Sequence, residues 1–414
     1  MASVVAAAER TGSAAPAREL ARPSLSRPTW LPEQIPAFDG LRGIAILAVL
    51  LYHCHPRLAG TLVEPIIIWG WCGVSLFFVL SGFLITGIIL DAAPPQQANN
   101  GLAGDPATGK PRFYRNFFAR RGLRIWPVYW LLLLLYYFIV PLLSGGPGTM
   151  LREVSAAPWA FLLLFIQNLR PLALPGAIGP TWSLAIEQQY YLLWAPIARS
   201  LRPRWLVLAA AAMFITSPLV RLLHPAWLTP THTLTHLDGL AIGSLLATAL
   251  RLRHWPLAAW RWIARAGLAL GVCGIALALH HGSAFTDTLL AFGFGGMLLA
   301  ALTGTRQTPS APLRPQAQAG TRQTPLRPQA QGLYVRVLTL RPLLFVGKVS
   351  YGLYVMHIFV FTMIAGYVDA PLDRFGTAGN IAIVAIRIAA AIGVAATSWY
   401  WFERPILGMK RYFR

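Results

Sequence analysis

FDGLRGIAILAVLLYHCH, residues 38–55, is an apolar stretch that carries an arginine at 42 and a histidine at 53. Wound as a helix at about 100° and about 1.5 Å per residue, it places these two side chains within roughly 20° of one face and about 16 Å apart along the axis. Both are costly in hydrocarbon. A stretch that keeps them predicts a membrane helix with a use for its polar face.

Composition sets the class. A chain of 414 residues with 56% hydrophobic and 12% charged content cannot be arranged as an ordinary soluble domain, and a polytopic all-α membrane protein is expected. The net charge of +21 comes from 35 basic against 14 acidic residues, and of the basic ones only Lys110, Lys348 and Lys410 are lysines. Nucleic-acid binding is one reading of such a balance. The arginines instead cluster in short segments between apolar runs, as cytoplasmic loops facing anionic lipid do, so membrane lipids and not nucleic acid are the expected partners. The cysteines Cys54, Cys72 and Cys273 lie in or beside apolar runs with no metal-like spacing, which predicts neither a disulfide framework nor a metal site.

Apolar runs fall at about 41–56, 67–90, 124–143, 157–169, 182–199, 205–223, 237–250, 264–281, 285–303, 343–366 and 380–402. A span needs about 20 residues, so the short 157–169 run predicts a re-entrant or interfacial piece. Placing the basic segments Lys110 to Arg124, Arg199 to Arg204, Arg251 to Arg265, Arg306 to Lys348 and Arg404 to Arg414 inside predicts ten spans with both termini cytoplasmic. Residues 1–37, rich in Ala, Ser, Pro and Arg and without the apolar core of a cleavable signal, predict a disordered cytoplasmic tail ahead of a membrane domain over 38–410. Two low-complexity inserts are expected in cytoplasmic loops, at 94–110 and at 305–331. The second holds a slipped duplication, TRQTPSAPLRPQAQ followed by TRQTPLRPQAQ.

The polar residues left within or beside the spans are the candidates for chemistry. His53 is suited to general base or nucleophilic work near neutral pH, or to packing between helices through a hydrogen bond. His55, at the helix end before Pro56, is the weaker candidate. Arg42 is either an anchor reaching for headgroups or part of the His53 face. In GPTWSLAIEQQYYLLW, Glu187, Tyr190 and Tyr191 are spaced to share a face. The carboxylate there would pair with a buried cation or orient His53.

Ser350, Tyr354 and His357 recur at i, i+4 and i+7 on one face, where they would line a cavity or hold helices together. Asp238, Arg387 and Ser81 with Gly82 in FFVLSGFLI are further candidates of this kind. Arg120, Arg121 and Arg124, in RFYRNFFARRGLRIWPVYW, meet either anionic headgroups or a phosphorylated donor.

Taken in order, FDGLRGIAILAVLLYH, GVSLFFVLSGFLIT, RRGLRIWPVYW, GPTWSLAIEQQYY, VSYGLYVMHIFV and WFERP resemble the blocks of the acyltransferase 3 family of integral membrane O-acyltransferases. The likeness covers roughly residues 36 to 410. It implies an O-acetyltransferase of the bacterial inner membrane that moves acetyl from acetyl-CoA, without a metal, to a hydroxyl of a cell-surface or exported glycan. A small secondary metabolite such as a macrolide is the other acceptor class, and a lipid-linked sugar transporter would share the polytopic build without needing a thioester site.

By this resemblance His53 is the catalytic histidine, Arg42 contacts the donor and Glu187 matches the glutamate of the WSL block. Acetyl-CoA is expected with its nucleotide inside near Arg120, Arg121 and Arg124 and its arm running past Arg42. His53 would deprotonate the acceptor or carry the acetyl transiently, with Glu187 stabilising the imidazolium. Asp39, Ser81, Trp182, Tyr191, Tyr354 and His357 are expected to line the substrate cavity. HLDGLAIG departs from the family pattern, with His236 where an arginine is often found, and the 305–331 insert is unusual. No apolar-poor domain follows residue 402, so the membrane domain is expected to carry the whole activity.

Overall fold

The structure is a computed structural model. It describes residues 27–28, 30–32, 34–92, 106–139, 159–169, 174, 176–223, 225, 228–253, 255–281, 284–304 and 332–413. Among these residues there is no strand, and ten helices have 16 residues or more. They are α1 Pro36–Cys54, α2 Gly73–Asp91, α3 Pro106–Leu134, α4 Trp182–Ser200 and α5 Pro203–Leu223. There follow α6 Leu237–Leu252, α7 Leu257–His281, α8 Thr286–Gly304, α9 Arg341–Asp373 and α10 Gly376–Ser398.

Eight of the helical stretches are long and apolar enough to cross a membrane, which makes the chain a multi-pass integral membrane protein. The two long helices outside that set, α4 and α6, are the ones with Glu187 and Asp238.

Each helix begins and ends for a local reason. Pro36 opens α1, where a missing N–H costs nothing, and the Pro56 ring follows its end as the chain tightens into a 3-10 turn over His55–Leu58. The hydroxyl of Ser217 on α5 accepts from the Leu237 amide at 2.7 Å and donates to the Leu234 carbonyl at 2.9 Å, so one helix caps the next.

Between α3 and α4, the described residues 159–169 and 176–181 form no long helix. A five-residue helix, Trp159–Leu163, gives way to turns. Gln189 on α4 holds these turns through the Phe165 carbonyl and the Asn168 side chain, both at 2.8 Å.

The apolar interior divides into two clusters, and α1 belongs to both. Ile46, Val49 and Leu50 pack with α3, α4 and α9, while Phe38, Leu41 and Ala45 pack with α2, α6, α7 and α8. Burial separates central from peripheral helices: 72% of the Glu64–Asp91 span is buried, against 17% of α5 and 22% of α7, so the latter two face lipid.

Two boundaries differ from expectation. Residues ahead of α1 are packed rather than free, since Leu31 is buried against the second cluster and Arg27 donates to the Leu31 carbonyl. Helix α3 also begins at Pro106, inside the stretch expected as an insert, because proline is well placed in a first helical turn. The rest of the expected tail and inserts, residues 1–26, 94–105 and 305–331, lies outside the described residues.

Close helix approach is bought with glycine at the α2–α6 crossing. A Cβ at Gly82 would fall on the Leu240 carbonyl, and one at Gly243 would fall on the Val79 carbonyl. Gly243→Val is therefore expected to force the pair apart and cost about 1–3 kcal/mol or more. Thermal unfolding of the purified protein in detergent measures it, and an unchanged midpoint would show that the crossing does not depend on glycine.

Candidate active site

The face of α1 with Arg42 and His53 borders two cavities. The first, about 230 Å³, is enclosed by α1, α2, α3, α4 and α9 and is lined by Arg42, Arg121 and Arg124 together with Glu187. Ser81, Tyr191, Ser350 and Tyr351 add hydroxyls to its wall. Glu187 accepts from the Ser81 hydroxyl at 2.6 Å and from the Tyr191 hydroxyl at 3.0 Å, which satisfies both carboxylate oxygens. Arg42 is paired with Asp39 at 2.6 Å.

Arg121 is different. Its Nε is buried with no hydrogen-bond partner among the described residues, although the guanidinium lines the cavity. With Arg42 answered by Asp39, Arg121 and Arg124 against Glu187 still leave a surplus of positive charge and of N–H donors suited to phosphate oxygens.

The second cavity, about 380 Å³, is lined by His53, Tyr52, Trp71, Ser75, Trp182 and His236, with Gly176 and Gly179 at its edge. His53 Nδ1 lies 2.9 Å from the Val49 carbonyl one turn back. A carbonyl only accepts, so Nδ1 carries the hydrogen and the lone pair of the neutral ring sits on Nε2.

His236 lies ahead of α6, and its Nε2 donates to the Pro230 carbonyl at 3.0 Å. Burial lowers its pKa, against the pull of Asp287 and Asp238. Trp182 leans on it with ring centroids 4.9 Å apart.

Val74 and Tyr354 line both cavities. The Tyr354 hydroxyl donates to the Pro180 carbonyl at 3.0 Å and lies 2.7 Å from the Ser183 hydroxyl, which fixes the phenol where Tyr354 and Val74 lie between the arginine-lined and the histidine-lined cavities.

The residues singled out in the sequence distribute unevenly over this geometry. Arg42, Ser81, Arg121, Arg124, Glu187 and Tyr191 meet in the first cavity, His53 and Trp182 in the second, and Tyr354 in both. Arg120 is exposed and outside the lining, since the neighbouring direction on α3 belongs to Arg121. Asp39 stands beside the cavity as the partner of Arg42. His357 is fully buried behind His53 and lines neither cavity.

The expected pairing of Glu187 with His53 is not formed. Glu187 spends its bonds on Ser81 and Tyr191, and the side chain that meets His53 is His357, at 3.3 Å. Tyr52, Trp71, Ser75 and Tyr351 were not singled out in the sequence. Tyr52 neighbours His53 and Tyr351 neighbours Ser350, so adjacency was the available signal for those two. No group of three metal-binding side chains forms among the described residues.

Comparison with known proteins places these features in a family. A family profile described as an acyltransferase domain matches residues 35–400. YrhL of Bacillus subtilis is 26% identical over 395 residues, covering 90% of this chain and 55% of its own length. The peptidoglycan O-acetyltransferase OatA of Listeria monocytogenes is 25% identical over 401 residues, covering 92% of this chain and 57% of its own. The O-acetyltransferase OatA of Staphylococcus aureus is 24% identical over 402 residues, covering 91% and 58%. The chain thus spans less than two thirds of the length of these relatives. No solved structure matches it.

Other intramembrane charges have structural partners. Arg387 and Arg57 converge on Asp369 at 2.5 and 2.7 Å and tie the 3-10 turn after α1 to α9 and α10. Asp238 on α6 meets Arg221 of α5 at 2.7 Å and the Thr288 hydroxyl of α8 at 2.8 Å. Arg221 thus supplies from another helix the cation that HLDGLAIG lacks beside its aspartate. Arg221→Ala leaves a buried carboxylate unpaired and is expected to cost about 3–5 kcal/mol. A double change to Arg221→Leu with Asp238→Leu recovers part of it, the rest remaining because Asp287, 3.6 Å from Arg221, also loses its cation, as thermal unfolding of the purified variants would show.

Proposed function

This chain belongs to the acyltransferase 3 family, and we propose that it is an O-acyltransferase moving acetyl from acetyl-CoA to a hydroxyl of a cell-surface glycan. The observation that carries this reading is the meeting of an arginine-lined cavity and a histidine-lined cavity at Tyr354. The names of the relatives make peptidoglycan the first acceptor to examine.

Ten spans follow if α4 and α6 cross with the eight apolar stretches. Both termini are then cytoplasmic, and the arginines of α3 lie toward the cytoplasm, as their number in the loops favours. Acetyl-CoA enters from that side. Arg42, Arg121 and Arg124 hold its phosphates by charge-assisted bonds, and the unpartnered Arg121 Nε has a donor ready for one of them.

The acceptor enters the second cavity, whose indoles and phenol offer flat apolar faces to a sugar ring. His53 Nε2 takes the hydroxyl proton as the oxygen attacks the thioester carbonyl. The C–S bond then breaks, and the departing sulfur receives that proton from the imidazolium. Tyr354 closes the partition around the arm and keeps water from the thioester.

His53→Ala is expected to lower transfer by about 10²–10⁴-fold, the usual worth of a general base. Release of coenzyme A and O-acetylation of a purified glycan, followed in nanodiscs, measure it. Wild-type turnover in that variant would refute the assignment. Arg121→Ala is expected to raise the KM for acetyl-CoA about tenfold or more with kcat little changed, the signature of a lost charged hydrogen bond to the bound donor. Mass and NMR analysis of the cell-wall polymers with and without the gene then identifies the sugar that loses its acetyl group.

A further inference from the structure

We propose that His357 is the positioning residue of the reaction, holding His53 in its reactive form through a direct imidazole to imidazole hydrogen bond. The proposal rests on His53 being the base. It assigns to His357 the task that the sequence suggested for Glu187.

The protons can be placed from the acceptors alone. His357 is fully buried, and its Nδ1 lies 2.7 Å from the Tyr354 carbonyl. That nitrogen therefore donates, and the neutral ring keeps its lone pair on Nε2. Nε2 points at His53 Nδ1 from 3.3 Å. Since His53 Nδ1 also faces the Val49 carbonyl at 2.9 Å, both of its neighbours accept, and its single hydrogen is shared between them. The rings meet at 65° with centroids 4.8 Å apart, edge toward face rather than stacked.

Two consequences follow for chemistry. The neutral tautomer with Nε2 free becomes the only one this environment satisfies, so the base is in the right form before any substrate arrives. When Nε2 takes the acceptor proton, the Nδ1–H bond to His357 becomes charge-assisted and steadies the imidazolium. A carboxylate would do this more strongly, but it would have to be kept ionised in a buried, low-dielectric site. A neutral imidazole does it without adding a charge. The proton itself goes from the hydroxyl to Nε2 and on to the departing sulfur, while Nδ1 keeps its hydrogen throughout.

The geometry also ties the base to the partition. His357 hangs from the carbonyl of Tyr354, whose phenol separates the cavities. One turn of α9 thus sets both.

The test compares full-length variants in nanodiscs with acetyl-CoA and a purified peptidoglycan fragment. His357→Phe keeps the ring and removes the acceptor, and is expected to lower kcat roughly 10- to 100-fold with both KM values within about twofold. His357→Gln can place its amide oxygen where Nε2 stood and is expected to recover much of the loss. His357→Asn replaces the other end of the ring and is expected to recover none.

Wild-type kcat in the Phe variant, or equal losses in Phe and Gln, would overturn the proposal. Ring 15N NMR of the wild-type protein, with the His53 signal identified by its loss in His53→Ala, gives a readout independent of variant folding. A protonated Nδ1 is expected, and a neutral ring protonated on Nε2 would overturn it. If His53→Ala retains transfer, the base assignment falls; if that variant is dead while His357→Phe runs at full rate, only the role of His357 falls.

Discussion

Everything at the site depends on how closely α1 and α9 approach each other. A Cβ at Gly347 would fall on the Asp39 backbone, and one at Gly43 would meet the side chain of Leu343 at 2.8 Å. Lipid gives helices no hydrophobic reason to associate, so contact has to come from packing and from polar groups that answer one another. Glycine supplies the first. The second follows because helices this close bring His357 within 3.3 Å of His53 and set Tyr351 and Tyr354 on the same cavity as Arg42.

How much of this was legible in the sequence depends on whether the information is local. The Arg42 and His53 pair was legible, because helical periodicity alone puts both on one face. The arginine cluster was legible only as a cluster. Arg120 and Arg121 are about 100° apart on a helix, and which direction meets the cavity is set by how α3 rotates against its neighbours. Glu187 was recognised as a buried carboxylate in need of partners, but those partners, Ser81 and Tyr191, are decided by packing across α2 and α4. The same holds for Asp238, whose cation comes from seventeen positions earlier on a different helix.

The two long helices outside the eight apolar stretches, α4 and α6, carry much of the polar network. α4 carries Glu187, Gln188 and Gln189 in succession, and α6 has only 16 residues with Asp238 in its first turn. Both stay in the bundle because their polar groups are answered inside it: Gln189 holds the 159–181 segment, and Tyr190 reaches Ser244 of α6 at 2.8 Å. That segment in turn places Pro180 and Trp182 against the second cavity.

The partition at Tyr354 joins these observations to the proposed reaction. Its phenol is satisfied by Ser183 and Pro180, so the closed wall leaves no polar atom stranded and water has no polar reason to enter. Opening it forfeits hydrogen bonds worth roughly 0.5–1.5 kcal/mol each. An anion held by the arginines of the first cavity would gain charge-assisted bonds at about 1.5–3 kcal/mol apiece. Arg42 and His53 thus border separate cavities from one helix, with Tyr354 lining both.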